Sequence, residues 1–148
     1  MGDSALLFIF EQTENGLFVC EFGNIVLTLP AKKYKIMAIF RLALLEEAKV
    51  FLQSLPVQAY KKILYNVDRV AGGEKNKELF KKLENSEIWE FRTLYNGIAY
   101  RLFAFWDTDT QTLVVATHGI IKKTQKTPKK EIARAEAIMK QYFEFKNK

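Results

Sequence analysis

The runs IWEFRTLY and IAYRLFAFW stand on either side of Asn96-Gly97, and this arrangement constrains the fold more than any other feature of the chain. Asn-Gly is the preferred two-residue connection of a β-hairpin, because both central residues must take positive φ to match the strand twist. Period-2 alternation then assigns the side chains to faces. Trp89, Phe91, Thr93 and Tyr95 fall on one face, and Glu90, Arg92 and Leu94 on the other. Tyr100, Leu102, Ala104 and Trp106 are likewise separated from Arg101, Phe103 and Phe105. Arg92 and Arg101 can share a face, depending on register. A polar turn at 107–111 leads into TLVVATHGII, so three consecutive antiparallel strands are expected.

A helix should follow this sheet. Thr127 can cap it, Pro128 suits its first residue, and Ile132, Ala135, Met139 and Tyr142 give it an apolar stripe. Upstream, Pro56 suits the start of a helix lined by Val57, Tyr60, Leu64, Val67 and Ala71 and closed by Gly72-Gly73. The preceding ALLEEAKVFLQSL places Leu44, Ala48, Phe51 and Leu52 at helical spacing, so two antiparallel helices are expected. YKIMAIF, from Tyr34, reads as a strand feeding them. KNKELFKKLENSE reads as a short helical turn or loop. Before Pro30, ALLFIFEQ, GLFVCEF and NIVLTL are β-prone runs separated by Glu14-Asn15-Gly16 and Gly23-Asn24, the pattern of a hairpin or three-strand meander. The expected organisation is an N-terminal β extension over 1–33 and an α+β domain over 34–148.

Charge is concentrated in the second of these parts. Residues 1–33 hold two Lys against four Asp or Glu, a net −2, so the remainder carries +8 within the chain's overall +6. The last thirty residues alone hold nine Lys or Arg and three Glu. Such a field attracts phosphate backbones, and it would also suit an acidic protein. One cysteine and one histidine exclude an internal disulfide and leave a transition-metal site without its usual ligands. A metal-independent protein without a cofactor is therefore expected. The apolar run ALLFIF is too short for a membrane span and lacks the basic leader of a signal peptide. A cytoplasmic location without membrane attachment is the simplest expectation.

The "E-hydrophobic-R" strand, the "YR" strand and the turn KKTQKTP into a helix, in that order behind two helices, resemble the phage-derived, HigB-like branch of the RelE/ParE toxin superfamily. The resemblance spans roughly residues 34–145. It implies a RelE-like α+β fold, with the helical pair and the C-terminal helix packed on a twisted antiparallel sheet. It also implies the toxin of a type II toxin–antitoxin system, with ribosome-dependent, metal-independent cleavage of messenger RNA. The implied partners are the ribosome, its mRNA and an antitoxin of helix-turn-helix type. Two other readings accompany it: a non-catalytic inhibitor of DNA gyrase like the ParE members, and a toxin remnant that only binds RNA or antitoxin.

Cleavage without metal uses the RNA's own 2′-hydroxyl and leaves a 2′,3′-cyclic phosphate. It requires a base, cations for the developing charge and an acid for the 5′-oxygen. Arg101 resembles the family's phosphate-binding arginine, with Arg92 as the second candidate. Lys122 and Lys123 follow the last strand, where relatives place a basic catalytic residue. His118 has two readings, a proton-transfer group and a packed sheet residue. Glu78 and Glu90 are the candidate bases, each also readable as a solvated or ion-paired carboxylate. Lys126, Lys129, Lys130 and Arg134 are expected to dock nucleic acid, or to form only the polar face of the last helix. The strand aromatics Trp89, Tyr95, Tyr100, Phe103, Phe105 and Trp106 are assigned to packing rather than base stacking.

Overall fold

The computed structural model describes residues 39–109, 113–124 and 126–147 in full, and the backbone of four strands before them. The strands are β1 (Leu6–Phe8), β2 (Glu11–Gln12), β3 (Leu17–Phe22), β4 (Ile25–Pro30), β5 (Arg41–Leu44), β6 (Phe80–Lys82), β7 (Trp89–Tyr95), β8 (Ile98–Asp107) and β9 (Leu113–Lys122). The helices are α1 (Glu46–Gln53), α2 (Val57–Ala71) and α3 (Lys129–Lys146). β2, β3 and β4 form a three-stranded antiparallel meander. β1 does not join it and pairs instead with β5. The expected turns at Asn15-Gly16 and Gly23-Asn24, and the expected strand residues 34–38, lie outside the described residues.

The main sheet has the order β1-β5-β9-β8-β7-β6. Asn96 and Gly97 take φ of 50° and 74°, as a type I′ turn requires. Tyr95 therefore faces Ile98, and counting back along both strands sets Arg92 opposite Arg101. The α+β, RelE-like class stands, but the sheet is mixed, because β5 runs parallel to β9. A parallel neighbour requires a long crossover. Helices α1 and α2, with the β6–β9 meander after them, supply it.

Two apolar layers flank this sheet. On one face, Leu42, Leu44, Phe91, Leu102, Ala104, Val114 and Ala116 pack under Ala48, Leu52, Ile63, Leu64 and Val67 of α1 and α2. On the other, Ala43, Phe103, Phe105 and Val115 meet Ile132, Ala135, Met139, Tyr142 and Phe143 of α3. The expected stripe of α3 is thus the one packed on the sheet, with Ala135 buried and Ile132, Met139 and Tyr142 partly so. α2 differs in detail: Val57 is exposed, and Ile63 and Val70 complete the buried face.

Two upstream elements depart from expectation. The strand before α1 is Arg41–Leu44, so Leu44 is a strand residue, and Ile39 and Phe40 precede the strand. Leu42, Ala43 and Leu44 alternate between the two cores, whereas a helix begun at Leu44 would take that residue from its place opposite Ala116 in the sheet. KNKELFKKLENSE contributes the edge strand β6, with Phe80 opposite Phe91 and Lys81 opposite Glu90. Its Lys, Glu and Leu favour helix, but Phe80 stacked between Trp89 and Phe91, at ring separations of 4.7 and 4.3 Å, outweighs that propensity.

One irregularity places the functional side chains. Phe103 pairs with His118 while Ala104 pairs with Ala116, so Thr117 is an extra residue in β9. A bulge of this kind shifts the alternation beyond it by one residue. His118, Ile120 and Lys122 consequently share the α3 face with Arg101, rather than lying on the face of α1 and α2 with Val114 and Ala116.

Candidate functional site

Beyond the N-terminal turn of α3, the sheet face carries a cluster of charge instead of an apolar core. Adjacent strands supply Arg92 and Arg101 as a direct cross-strand pair. Like charges so placed are unfavourable, and Glu90 lies between them. Its Oε1 is 3.6 Å from Nε of Arg92 and 3.6 Å from Nε of Arg101, while its Oε2 accepts a 2.9 Å hydrogen bond from the Thr127 hydroxyl. Glu90 is 3% exposed and Arg101 7%. The Nε atoms of both arginines are buried without a hydrogen-bond partner. Other parts of the two guanidinium groups are anchored: Arg101 donates to the Tyr100 carbonyl at 2.9 Å and Arg92 to the Lys77 carbonyl at 3.2 Å.

Lys122 stands at the end of β9 on this same face, opposite Ala99. Burial, then the positive charge of Arg101, pulls its ammonium below the ordinary lysine value; Arg92 and Lys81 act in the same direction, against Glu90. Burial also lowers Arg101, with Glu90 opposing and Arg92 reinforcing. One buried and one half-buried guanidinium group, a half-buried ammonium and one carboxylate can bind a phosphodiester, withdraw charge from it and move protons.

The structure thus brings Arg92, Arg101, Lys122 and Glu90 together. Glu78 is at the rim, 83% exposed and 4.0 Å from Arg92. Lys123 is exposed beyond the strand end. His118 is 2% exposed and stacks on Phe103 at 4.9 Å. Its Nε2 faces Glu131 at 3.2 Å, and its Nδ1 faces the Thr117 hydroxyl at 3.1 Å. Burial, aided by Arg134, lowers its pKa against the pull of Glu131 and Glu47. The packed-residue reading of His118 is the one that fits these contacts.

Lys126, Lys129 and Lys130 are exposed around the start of α3. Arg134 is bound to Glu47 of α1 at 2.9 Å. Thr127 does not cap α3: Pro128 occupies the cap position without a side-chain cap bond, and the Thr127 hydroxyl is directed to Glu90 instead. Tyr100, Phe103 and Phe105 are buried, as a packing role requires, while Trp89, Tyr95 and Trp106 are only partly so.

Lys81 was missing from the candidates read in the sequence. It is exposed, opposite Glu90 on the edge strand, and its charge acts on Lys122. Only reading FKK as a strand, with Lys81 projecting to the face opposite Phe80, would have found it. Among the described residues no three His, Cys, Asp or Glu side chains form a group able to hold a metal ion. No helix among the described residues is long and apolar enough to cross a membrane.

No curated protein matches the chain. Residues 50–140 match the family model described as Phage derived protein Gp49-like (DUF891). The match runs from within α1 to within α3 and contains the whole cluster of Arg92, Arg101, Lys122 and Glu90. Since it covers more than half of the 148 residues, the chain belongs to the Gp49-like family of phage-derived proteins, a RelE- and toxin-like family.

Proposed function

We propose that the protein is the toxin of a type II toxin–antitoxin pair and cleaves messenger RNA at the ribosome without a metal, as the HigB-like members do. The observation that carries this reading is the facing pair Arg92 and Arg101, each with an Nε that makes no hydrogen bond, flanking the buried carboxylate of Glu90 beside Lys122. The arginines hold the nonbridging oxygens of the scissile phosphate. Glu90 takes the proton of the 2′-hydroxyl as its oxygen attacks phosphorus. The bond from phosphorus to the 5′-oxygen breaks, and Lys122, its pKa lowered, passes a proton to that oxygen. The products are a 2′,3′-cyclic phosphate and a 5′-hydroxyl, and water restores both protonation states. Lys81, Lys123, Lys126, Lys129 and Lys130 surround this centre as an electrostatic collar for ribosomal and messenger RNA. A helix-turn-helix antitoxin would silence the protein by covering it.

Translating ribosomes incubated with the protein, followed by mapping of mRNA 5′ ends and of cyclic phosphate, test this directly. New ends that disappear with Arg101→Ala, in a variant whose circular dichroism matches the parent, support it; cleavage should fall by about 100-fold or more. Unchanged cleavage by that folded variant overturns the site. Trapped DNA breaks without new mRNA ends would replace the reading with gyrase inhibition, and binding without either lesion would mark a toxin remnant.

A further inference from the structure

The sheet face opposite the charge cluster holds a cleft of about 340 Å³ at the β6–β7 edge, lined by Phe40, Phe80, Trp89, Trp106, Lys75 and Asn76, among others. Its size lies at the small end of the roughly 300–1,000 Å³ typical of ligand clefts. Its walls are aromatic: Trp89 meets Trp106 edge-on at 6.2 Å and stacks on Phe80 at 4.7 Å, and Phe40 meets Trp106 edge-on at 5.5 Å. Both indoles remain partly exposed, so packing against one another leaves ring surface uncovered.

The rim is polar and cationic. Lys75 and Lys77 are exposed, whereas Glu74 is engaged by Arg69 at 3.1 Å, leaving the lysines to set the local charge. The side-chain oxygen of Asn76 accepts the Glu78 backbone N–H at 2.9 Å. That bond fixes which end of the amide is which, and its NH₂ group is left as a donor beside the rings. Aromatic walls, a fixed amide donor and two ammonium groups are complementary to a base with its phosphate.

The cleft also connects with the candidate active site. Lys77 lines it, and the Lys77 carbonyl holds Arg92 at 3.2 Å on the other side of the sheet. We propose that this cleft binds one unstacked base of the single-stranded RNA, stacked on Trp89 and Trp106 with its phosphate on Lys75 and Lys77, where the strand passes around the β6 edge from the arginine cluster. The proposal rests on the RNA-cleaving reading for its choice of strand, but its test does not depend on cleavage.

Trp89 and Trp106 are the two tryptophans of the chain, so selectively excited tryptophan fluorescence reports on this site. The full-length protein is titrated with the RNA tetramer rA4, with adenosine 5′-monophosphate and with ribose 5-phosphate. The tetramer should quench saturably and bind more tightly than the mononucleotide, and ribose 5-phosphate should not quench. Stacking on one aromatic side chain is worth about 5- to 150-fold in affinity. Trp89→Leu, read through Trp106, should therefore weaken the tetramer at least fivefold, and Lys75→Ala with Lys77→Ala should weaken it and flatten its salt dependence.

The double variant Arg101→Ala with Lys122→Ala should cleave nothing yet bind adenosine 5′-monophosphate, which occupies the cleft alone, within about twofold of the parent, which separates this site from the catalytic one. Absence of quenching, or undiminished affinity in a Trp89→Leu variant with parental circular dichroism, overturns the base site. Equal binding of the mononucleotide and the tetramer overturns the RNA strand as occupant in favour of a free nucleotide, and equal quenching by ribose 5-phosphate reduces the cleft to a phosphate contact.

Discussion

Replacing Glu90 with Gln separates two roles that one carboxylate combines, because it should change stability, RNA affinity and cleavage in different directions. In the parent, Oε1 stands 3.6 Å from each arginine Nε. At an effective dielectric of about 20, each such approach is worth about 4–5 kcal/mol of gross attraction. Desolvation of a carboxylate that is 3% exposed cancels much of the sum. Breaking a buried charge pair typically costs about 3–5 kcal/mol. Arg92, 23% exposed at its side chain, can turn toward water, so the expected loss is at the lower end, about 2–4 kcal/mol. Gln keeps the volume and an acceptor for Thr127, so packing contributes little.

Urea unfolding in low salt measures the loss, and added sulfate or phosphate should recover part of it by replacing the missing negative charge. For the same reason single-stranded RNA should bind Glu90→Gln at least as tightly as the parent, because a repulsive carboxylate is gone from a phosphate site. Cleavage should nevertheless fall by about 10²–10⁴-fold, the range for loss of a general base. Parental cleavage in this variant would refute the base assignment and leave Glu90 as a counterion. Unchanged stability would refute the electrostatic account of the arginine pair.

Deleting Thr117, the extra residue of β9, should remove the bulge and leave His118 opposite Phe103 and Lys122 on the face of Arg101. Salt-dependent RNA binding and cleavage should therefore both persist, and loss of both in a variant with parental circular dichroism would refute the register. His118 titrates below its ordinary value in the folded protein, so the unfolded chain binds its proton first. Stability should be flat above about pH 6.5, decline as pH falls from there toward the folded pKa, and lose this step in His118→Gln; urea midpoints across pH 5–8 check the sign. Gly119→Ala should destabilise by about 1–3 kcal/mol, because the new Cβ would be 2.2 Å from the Phe51 ring. Phe51→Leu in the same chain should recover part of that loss, and additive effects of the two changes would refute the clash.

The central hairpin was legible because an Asn-Gly turn fixes both the bend and the register, and Arg92 facing Arg101 follows from it. The apolar stripe of α3 was legible for a related reason: one helix on one sheet face leaves a single periodicity to read. Lys81 was not legible, since a three-residue edge strand is held by Trp89 and Phe91 across the sheet and not by its own Lys-rich composition. Nor was the bulge, because TLVVATHGII is apolar on both sides and alternation cannot reveal a slipped phase in such a run. His118 is ambiguous for a physical reason as well: a lone imidazole on a strand looks the same in sequence whether it meets solvent or, as here, the carboxylate of Glu131. Thr127 has a cap residue's chemistry, and only the fold reveals that its hydroxyl is committed to Glu90.

Helix α3 is attached to the sheet near both ends. Before its first turn Thr127 holds Glu90, and within it Glu131 meets His118; near its last turn Tyr142 and Lys146 hold Asp107 at 2.7–2.8 Å. Mechanically it is a beam pinned at two supports, and the supports differ. The C-terminal one is an ion pair reinforced by a phenol, whereas the N-terminal one consists of hydrogen bonds, one of them made by the carboxylate proposed to take the proton. On the proposed function, a load applied along the beam reaches the carboxylate through the N-terminal support, so helix position and proton chemistry are coupled through the Thr127 hydroxyl.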